Sequence, residues 1–479
     1  MASDSTDREV LDRQSALTLS LISHTNVGKT TLARTLLRRE VGEVLDQAHV
    51  TTDNQRHELL QAPGGERLIL WDTPGFGDSA RLLRELRDEA DPVATLLSRT
   101  WDPVAEAGLH CSQLAARNIA EEADVVLYLV NAGEWPEEAG YVAGEMELLG
   151  WIGRPVLALL NQVGPLREDA GDAPELVRWR EHLASYPCVK GMLSLDAFAR
   201  CWVQEGVLFE RVHSILPEDR KDLCAALLQA WRDEQLGVFR ESMEILARTV
   251  AQAACDRESI IEGGWGNDAG QGRRKLAARM EERTREAQDQ WIRLHGLEGR
   301  AAVDFRAELD DYKGSSLLID PKRVGITAGV ISGLIGGVGA DLALGGLSLG
   351  GGALLGAVIG GYGGIKGARV FQKLRGGEPE LTWSDALLSR TCGELVLRYL
   401  AVSHHGRGRG RWRDREHPEF WRAAVKQSLQ ERRTWFDAAW KEARGDASSV
   451  DIGERLQPLV TGVVREVLTR FHPEAARLL

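Results

Sequence analysis

Near the start of the chain, a glycine-lysine-threonine run follows a short apolar segment. Leu17, Leu19 and Leu21 alternate with polar residues and predict a strand, whereas Lys29 and the residues after it predict a helix. A loop between a strand and a helix turns its backbone N–H groups inward, and the helix N-terminus adds partial positive charge. The sequence therefore predicts a phosphate-binding loop for the triphosphate of a nucleotide.

Individual residues of this loop have predicted roles. Lys29 would reach the β- and γ-phosphates, and the Thr30 hydroxyl would hold Mg²⁺. The pattern departs from the usual residue type at Ser23, where a glycine is expected. A serine fits such a turn if its φ is negative. The residues predicted to bind the nucleotide here are Asn26, Val27, Gly28, Lys29, Thr30 and Thr31.

Two later segments are predicted to sense the γ-phosphate and the metal. Thr51 and Thr52 fit a switch segment whose threonine closes on Mg²⁺ and the γ-phosphate. Asp72 ends an apolar strand and begins an Asp-Thr-Pro-Gly turn, in which Asp72 would bind Mg²⁺ through water and the Gly75 N–H would meet the γ-phosphate. The predicted catalytic residues are Lys29, Thr52, Asp72 and Gly75, and the predicted Mg²⁺ ligands are Thr30, Thr51, Thr52 and Asp72.

Strands and helices must bring these residues together. Continuous apolar runs at 125–130 and 155–160 are typical of central parallel strands, and helical patterns separate them. Strands that alternate with helices over the first part of the chain predict a doubly wound α/β domain with its ligand at the strand C-termini. Asn161 and Gln162 follow the second of these runs, and Ser194 follows a further strand predicted at 189–193. All three residues are predicted to bind the nucleotide.

These motifs carry a resemblance to a known family. The segments have the order and spacing of GTPase motifs, and they are Ser23–Thr30, Thr51-Thr52, Asp72–Gly75, Asn161–Gly164 and Ser194–Ala197. Residues 15–216 thus resemble the TrmE/Era/EngA branch of translation-factor-type GTPases. The resemblance implies an enzyme that binds and hydrolyses GTP with Mg²⁺.

The resemblance implies individual roles at two positions of this chain. Asn26 takes the place of an asparagine that helps hold K⁺ beside the phosphates in potassium-activated members. Phe76 follows the last glycine of the Asp72–Gly75 motif, where Ras-like proteins have a catalytic glutamine. An apolar side chain cannot orient the attacking water, so slow basal hydrolysis is expected.

The base-reading motif departs from the family pattern. The family has N-K-x-D, whereas this chain keeps Asn161 but has Gln162 for the lysine and Gly164 for the aspartate. Without the aspartate the guanine edge loses a bidentate acceptor, which is the main reason to prefer guanine. Guanine is therefore implied by the resemblance alone, and adenine stays open. Asp169 and Asp172 either substitute for the missing acceptor or are solvated loop acids.

The second part of the chain changes composition twice. Residues 217–320 are charged and space their apolar residues as amphipathic helices do. Residues 321–370 are predicted to form a glycine-rich helical hairpin, because Asp341 and Tyr362 are the only ionisable residues between Val324 and Ile365. Glycines four residues apart line one helix face and let another helix approach closely, as in a glycine zipper. The hairpin either enters membrane lipid or packs inside the C-terminal domain.

The ends and the bulk composition add further predictions. Residues 1–14 are predicted to be disordered, and residues 371–479 to be helical apart from an Arg-Gly run at 407–411. That run is either a flexible basic loop or a site for RNA or lipid headgroups. A net charge of −12 argues against nucleic-acid binding over the whole surface. Scattered cysteines and a polar N-terminus predict a cytoplasmic protein, which would sit at the inner face of the membrane if the hairpin enters lipid.

The sequence thus predicts a doubly wound P-loop GTPase domain (15–216) and a mostly α-helical C-terminal half with a glycine-zipper hairpin. This layout resembles a bacterial GTPase family whose C-terminal domain has no assigned function. The predicted function is a Mg²⁺-dependent GTP-hydrolysing switch that associates with a membrane. The alternatives are a nucleotide-gated scaffold with little turnover and a ribosome- or RNA-associated assembly GTPase. The predicted partners are GTP and GDP, membrane lipid or a membrane protein, and a second copy in a nucleotide-dependent dimer.

Overall fold

The chain forms two compact units in the computed structural model. The first unit lies within Met1–Gly237, Ser403–Pro418 and Phe471–Leu479, and the second within Val238–Val402 and Glu419–Arg470. The residues that the structure describes are 13–24, 27–38, 53–161, 174–195, 201–259, 267–297, 368–371, 380–405 and 419–479.

A six-stranded mixed sheet forms the centre of the first unit. Its strands are β1 (Ala16–Ser23), β2 (Gln55–Gln61), β3 (Arg67–Asp72), β4 (Val125–Asn131), β5 (Val156–Asn161) and β6 (Val189–Ser194). The strand order is β2-β3-β1-β4-β5-β6. Every neighbouring pair is parallel except β2 and β3, which are antiparallel.

The apolar runs of the sequence explain which strands are central. Every residue of β1 and β5 is buried, and in β4 only Asn131 is partly exposed. Parallel strands are covered on both faces, so they need such continuous apolar sequence. By contrast, β2 is polar and half-exposed, as suits a strand at the sheet edge.

Helices cover the sheet of the first unit. They are α1 (Lys29–Leu37), α2 (Ser79–Leu86), α3 (Pro92–Ser98), α4 (Ala107–Glu121), α5 (Tyr141–Ile152), α6 (Pro174–Leu183), α7 (Trp202–Ile215) and the first part of α8 (Glu218–Ala254). On one face Ile22, Tyr128 and Leu160 share a core with Leu86 and Trp179. On the other, residues from β1 and β3 line an apolar pocket with residues of α7 and α8: Leu17, Leu68, Phe209, Val212, Cys224, Leu227 and Leu228. The predicted doubly wound fold is confirmed.

The second unit is mostly helical. It contains the later part of α8 and five further helices: α9 (Asn267–Leu294), α10 (Asp385–Ser403), α11 (Glu419–Glu431), α12 (Arg433–Ala443) and α13 (Ser449–Phe471). The last residue of α10 and the last residue of α13 belong to the first unit. Asp256 forms ion pairs with Arg279 (3.0 Å) and Arg283 (2.8 Å), which join the end of α8 to α9. The mostly helical second half is likewise confirmed.

A small antiparallel sheet in this unit had no counterpart among the sequence predictions. Its strands, β7 (Glu258–Ser259), β8 (Ala368–Phe371) and β9 (Glu380–Trp383), lie in the order β7-β9-β8. Strands of two to four residues are too short to show a two-residue period in the sequence, so tertiary pairing defines them.

Several predicted features fall outside the described residues. They are residues 1–12, the glycine-rich hairpin at 324–365 and the Arg-Gly run at 407–411. Among the helices that the structure does describe, none combines the length and the apolar character needed to cross a membrane. The predicted domain limits and the hairpin stay predictions.

Candidate nucleotide-binding site

Residues predicted to bind the nucleotide meet at one edge of the sheet. Lys29 and Thr30 follow β1, Asp72 ends β3 and Asn161 ends β5. Because these strands are parallel, their carboxyl ends lie at the same edge, which is where open α/β sheets bind ligands. Ser194 ends β6 in register with Leu160 of β5, so it belongs to the same edge.

The Lys29 side chain, at the start of α1, is buried. Its Nζ donates to Ser23 Oγ at 3.0 Å, so the serine in the glycine position contacts the lysine. Burial lowers the pKa of the Lys29 ammonium, against the opposing attraction of Asp72 and Glu145. A bound phosphate group would replace water as the group that stabilises the charged ammonium form.

Thr30 and Asp72 form a pair that suits Mg²⁺. Thr30 Oγ1 donates to Asp72 Oδ2 at 2.8 Å. The other carboxylate oxygen, Oδ1, is buried and has no hydrogen-bond partner within the described part of the chain. Burial raises the pKa of Asp72, and Lys29 opposes this shift. A hydroxyl and a carboxylate are oxygen ligands of the kind Mg²⁺ takes, and a cation would satisfy the orphaned oxygen, so the residues fit the metal.

Gly28 and Asn161 hold the phosphate-binding loop in place. Gly28 has φ 101°, in the left-handed region that glycine adopts without steric cost. A Cβ at this position would lie 2.8 Å from Asn161 Nδ2. Asn161 Nδ2 donates to the Val27 carbonyl at 2.8 Å, and its side chain is fully buried. Asn161, the first residue of the base-reading segment, is therefore bonded to the loop.

The segment after β3 lies directly against the same loop. A Cβ on Gly75 would come within 2.9 Å of Lys29 Nζ and 3.1 Å of the Ser23 carbonyl, so a side chain there would crowd both groups. The Phe76 N–H donates to the Ser23 carbonyl at 3.0 Å, while the Phe76 side chain is fully buried in the core. A phenyl ring in that position cannot orient a water at the phosphates.

The loop also carries a partly buried polar network that sequence reasoning missed. His24 Nδ1 lies 2.9 Å from Glu145 Oε1, and the Tyr128 hydroxyl donates to Glu145 Oε2 at 2.6 Å. The His24 ring stacks on Tyr141 with centroids 4.2 Å apart. Burial raises the pKa of the Glu145 carboxyl, and the hydrogen bonds from His24 and Tyr128 oppose the shift.

A signal for this network was present in the sequence. Glu145 lies three residues after Val142 and four before Leu149, so helical spacing puts its carboxylate on the buried face of α5. An acidic residue on an apolar helix face needs a partner, because an unpaired buried charge is costly. His24 supplies that partner from the phosphate-binding loop.

The structure places most of the predicted site residues and leaves four of them outside. Those it brings to the sheet edge or onto α1 are Val27, Gly28, Lys29, Thr30, Thr31, Asp72, Gly75, Asn161 and Ser194. Those beyond the described ranges are Asn26, Thr51, Thr52 and Gln162. The roles of all thirteen stay predictions.

Two known families match this chain. The family described as "50S ribosome-binding GTPase" matches residues 18–162, which span the site. The family described as "Domain of unknown function (DUF3482)" matches residues 188–457, which is more than half of the chain.

Individual relatives point to the same class of protein. GTPase Era of Heliobacterium modesticaldum is 26% identical over 235 residues, which cover 47% of this chain and 67% of that protein. GTPase Der of Stenotrophomonas maltophilia is 26% identical over 204 residues, which cover 42% of this chain but only 35% of that protein.

A solved structure of Era from Aquifex aeolicus, bound to GDP and aluminium fluoride, is also similar. The identity is 20% and the TM-score 0.30, over 43% of this chain and 58% of the Era chain. The two family matches and the similarity to Era and Der agree with the geometry of the site. This chain belongs to the DUF3482 family, and its N-terminal part is a P-loop GTPase domain like that of Era.

Proposed function

We propose that the chain is a slow GTP-hydrolysing switch that works with Mg²⁺. The observation that carries the proposal is the contact of Lys29, the Thr30–Asp72 pair and Gly75 at the carboxyl edge of the sheet. Bound Mg²⁺ would neutralise negative charge on the phosphates. The curated relatives are covered only in part, so the activity of the whole chain stays within this proposal.

Different residues of the site would bind the phosphates, hold the metal and respond to the γ-phosphate. Lys29 places positive charge on the β- and γ-phosphates, and Thr30 and Asp72 supply oxygen ligands to the metal. Gly75 lies against both Lys29 and the Ser23 carbonyl, so its backbone can follow the presence of a γ-phosphate. Thr51 and Thr52 would close over the same phosphate.

Slow turnover follows from the position of Phe76. Its ring is buried in the core under the site, where it cannot hold a water in line with the γ-phosphate. This observation also favours a second candidate, a nucleotide-gated scaffold that binds GTP and recruits partners without hydrolysing it. Phosphate release that stays at the uncatalysed rate in saturating GTP and Mg²⁺ would support the scaffold.

Nucleotide preference is the most direct test of the proposal. We expect GTP to bind at least about tenfold more tightly than ATP, a difference of about 1.4 kcal/mol. The departure at Gln162 and Gly164 makes this margin smaller than an intact N-K-x-D motif would give. Isothermal titration with each nucleotide in Mg²⁺ measures it. Equal affinities would remove the GTP assignment and leave a less specific triphosphatase.

Potassium dependence is expected from Asn26, which lies outside the described residues. A monovalent cation beside the phosphates would stabilise charge that develops as the β–γ bond breaks. We expect hydrolysis to be on the order of tenfold faster in K⁺ than in Na⁺, which is about 1.4 kcal/mol in the barrier. The Asn26→Ala variant should lose the difference. Identical rates in both salts for the unaltered protein would remove the proposed ion.

Membrane association is proposed through the glycine-rich hairpin at 324–365. Each half of that stretch has about the length that a bilayer requires. We expect the full-length protein to stay with membranes through salt and carbonate washes, and a chain lacking 324–365 to stay in solution. Full-length protein that is recovered without detergent in the supernatant would instead place the hairpin inside the C-terminal domain.

A further inference from the structure

A cysteine and two histidines from distant parts of the chain meet inside the first unit. Cys201 directly precedes α7, His404 directly follows α10 and His472 directly follows α13. One ligand atom from each residue lies within 4.8 Å of the other two. Cys201 and His404 are fully buried, and His472 is 8% exposed. None of the three takes part in the nucleotide-binding site.

The spacing of the histidines matches that of two ligands on one metal ion. Their Nε2 atoms face each other at 3.1 Å, and the rings are stacked at 22°. Two imidazole nitrogens bound to a tetrahedral Zn²⁺ at its usual bond length lie about 3.3 Å apart. A metal ion would accept a lone pair from each of the two nitrogens, whereas without a metal one Nε2 carries a proton and donates it to the other.

Neighbouring groups orient the donor atoms. Ser403 Oγ lies 3.2 Å from His404 Nδ1, so that an Nδ1–H can donate to the hydroxyl and leave the Nε2 lone pair directed at His472. At the start of α7 the Gln204 N–H donates to the Cys201 carbonyl at 2.9 Å, and the Cys201 N–H donates to Gln204 Oε1 at 2.9 Å, which fixes the cysteine backbone. A metal ion at this position would bind the thiolate form of the cysteine.

We propose that Cys201, His404 and His472 form a site for Zn²⁺. One thiolate and two imidazoles are the donor set that Zn²⁺ takes in proteins, and a tetrahedral ion would keep its fourth position for a water. The site needs no nucleotide, so it stands apart from the proposed function.

The metal would hold the residues after α13 against α7 within the first unit. Residues after His472 pack along α7: Arg477 Nε donates to Glu210 at 2.6 Å, and Arg211 pairs with Glu474 at 3.3 Å. Leu478 is buried, and its side chain lies within 2.5 Å of where a Cβ on Gly206 would be. The Zn²⁺ would add a strong bond to these contacts at the point where α7 begins.

Cobalt(II) is a suitable probe because its spectrum reports both the geometry and the sulfur ligand. The full-length protein is stripped with a chelator and titrated with Co²⁺ in the absence of nucleotide. We expect saturation at one equivalent, intense visible bands of a tetrahedral ion and a thiolate-to-cobalt charge-transfer band. Added Zn²⁺ should displace the cobalt and raise the thermal midpoint of the protein.

Variants assign the spectrum to these residues. Cys201→Ser should lose the charge-transfer band, and His404→Gln or His472→Gln should weaken metal binding by at least about tenfold. Ser403→Ala, which removes only the orienting hydroxyl, should weaken it by about 10- to 100-fold. Cys224→Ser is the matched control: this buried thiol, whose pKa burial raises to about 12, is outside the cluster and its loss should leave the spectrum unchanged.

The unaltered protein decides the proposal even if a variant fails to fold. A cobalt spectrum without the charge-transfer band, or Co²⁺ affinity that Cys201→Ser and Cys224→Ser change equally, would overturn the proposed site. The cluster would then be a hydrogen-bonded histidine pair beside a buried thiol. Lys29→Met should keep full metal binding, so failure of the nucleotide site and failure of the metal site are separate results.

Discussion

Replacing Lys29 with alanine is expected to remove most of the affinity of the protein for GTP. The ammonium is buried, contacts Ser23 Oγ at 3.0 Å and lies beside the Asp72 carboxylate. Hydrogen bonds to a charged group contribute about 1.5–3 kcal/mol each, so removal of the cation should weaken triphosphate binding by about 10- to 100-fold or more. Titration with a slowly hydrolysed GTP analogue measures the loss.

Alanine at this position also leaves a cavity, and a second variant separates the effect of the cavity on binding from the effect of the lost charge. Lys29→Met keeps the length of the side chain and removes only the charge, and it should lose affinity to the same extent. Lys190→Ala removes an exposed lysine of the same domain and should bind GTP as the unaltered protein does. Wild-type affinity in both Lys29 variants would place the triphosphate elsewhere.

Replacing Asp72 with asparagine is expected to reduce Mg²⁺-dependent GTP hydrolysis by at least about 100-fold, or about 2.7 kcal/mol in the barrier. The amide has the same shape, but it lacks the negative charge that a metal ion would meet at the buried Oδ1. GTP affinity should also become nearly independent of Mg²⁺. Steady-state phosphate release over a range of Mg²⁺ concentrations gives both quantities.

This loss should come without a matching loss of stability. Burial raises the pKa of Asp72, which means that the protein without ligand stabilises the neutral form of this side chain relative to water. The neutral amide is therefore tolerated, and the thermal midpoint should shift by only a few degrees, about 1 kcal/mol. Asp88→Asn, at an exposed acid of the same domain, is the control for activity. Undiminished Mg²⁺-dependent hydrolysis in Asp72→Asn would contradict the proposed ligand.

Features with a local signature were predictable from the sequence alone. The apolar runs of β1, β4 and β5 and the Gly-Lys-Thr turn predicted the sheet and its loop, because each depends on neighbouring residues and a fixed period. Parallel strands then bring their carboxyl ends to one edge by geometry, which is why Lys29, Asp72 and Asn161 were predicted to act together. The amphipathic helices after Pro217 were predictable for the same reason.

Contacts between residues far apart in the chain were decided by the tertiary structure. Asn161 bonds to the Val27 carbonyl 134 positions away, and His24 meets Glu145 across 121 positions. The short strands β7, β8 and β9 likewise form only through pairing with one another.

The difference between what the sequence predicts and what the tertiary structure decides is clearest for Cys201, His404 and His472. In the sequence the cysteine is one of six scattered thiols and the histidines have no metal-ligand spacing, so periodicity and motifs carry no signal for the cluster. The GTPase residues, by contrast, are grouped within a few positions of each strand end. Local sequence determines where each element begins and ends, whereas only the tertiary packing of the segments after α10 and α13 against the start of α7 brings these three donors together.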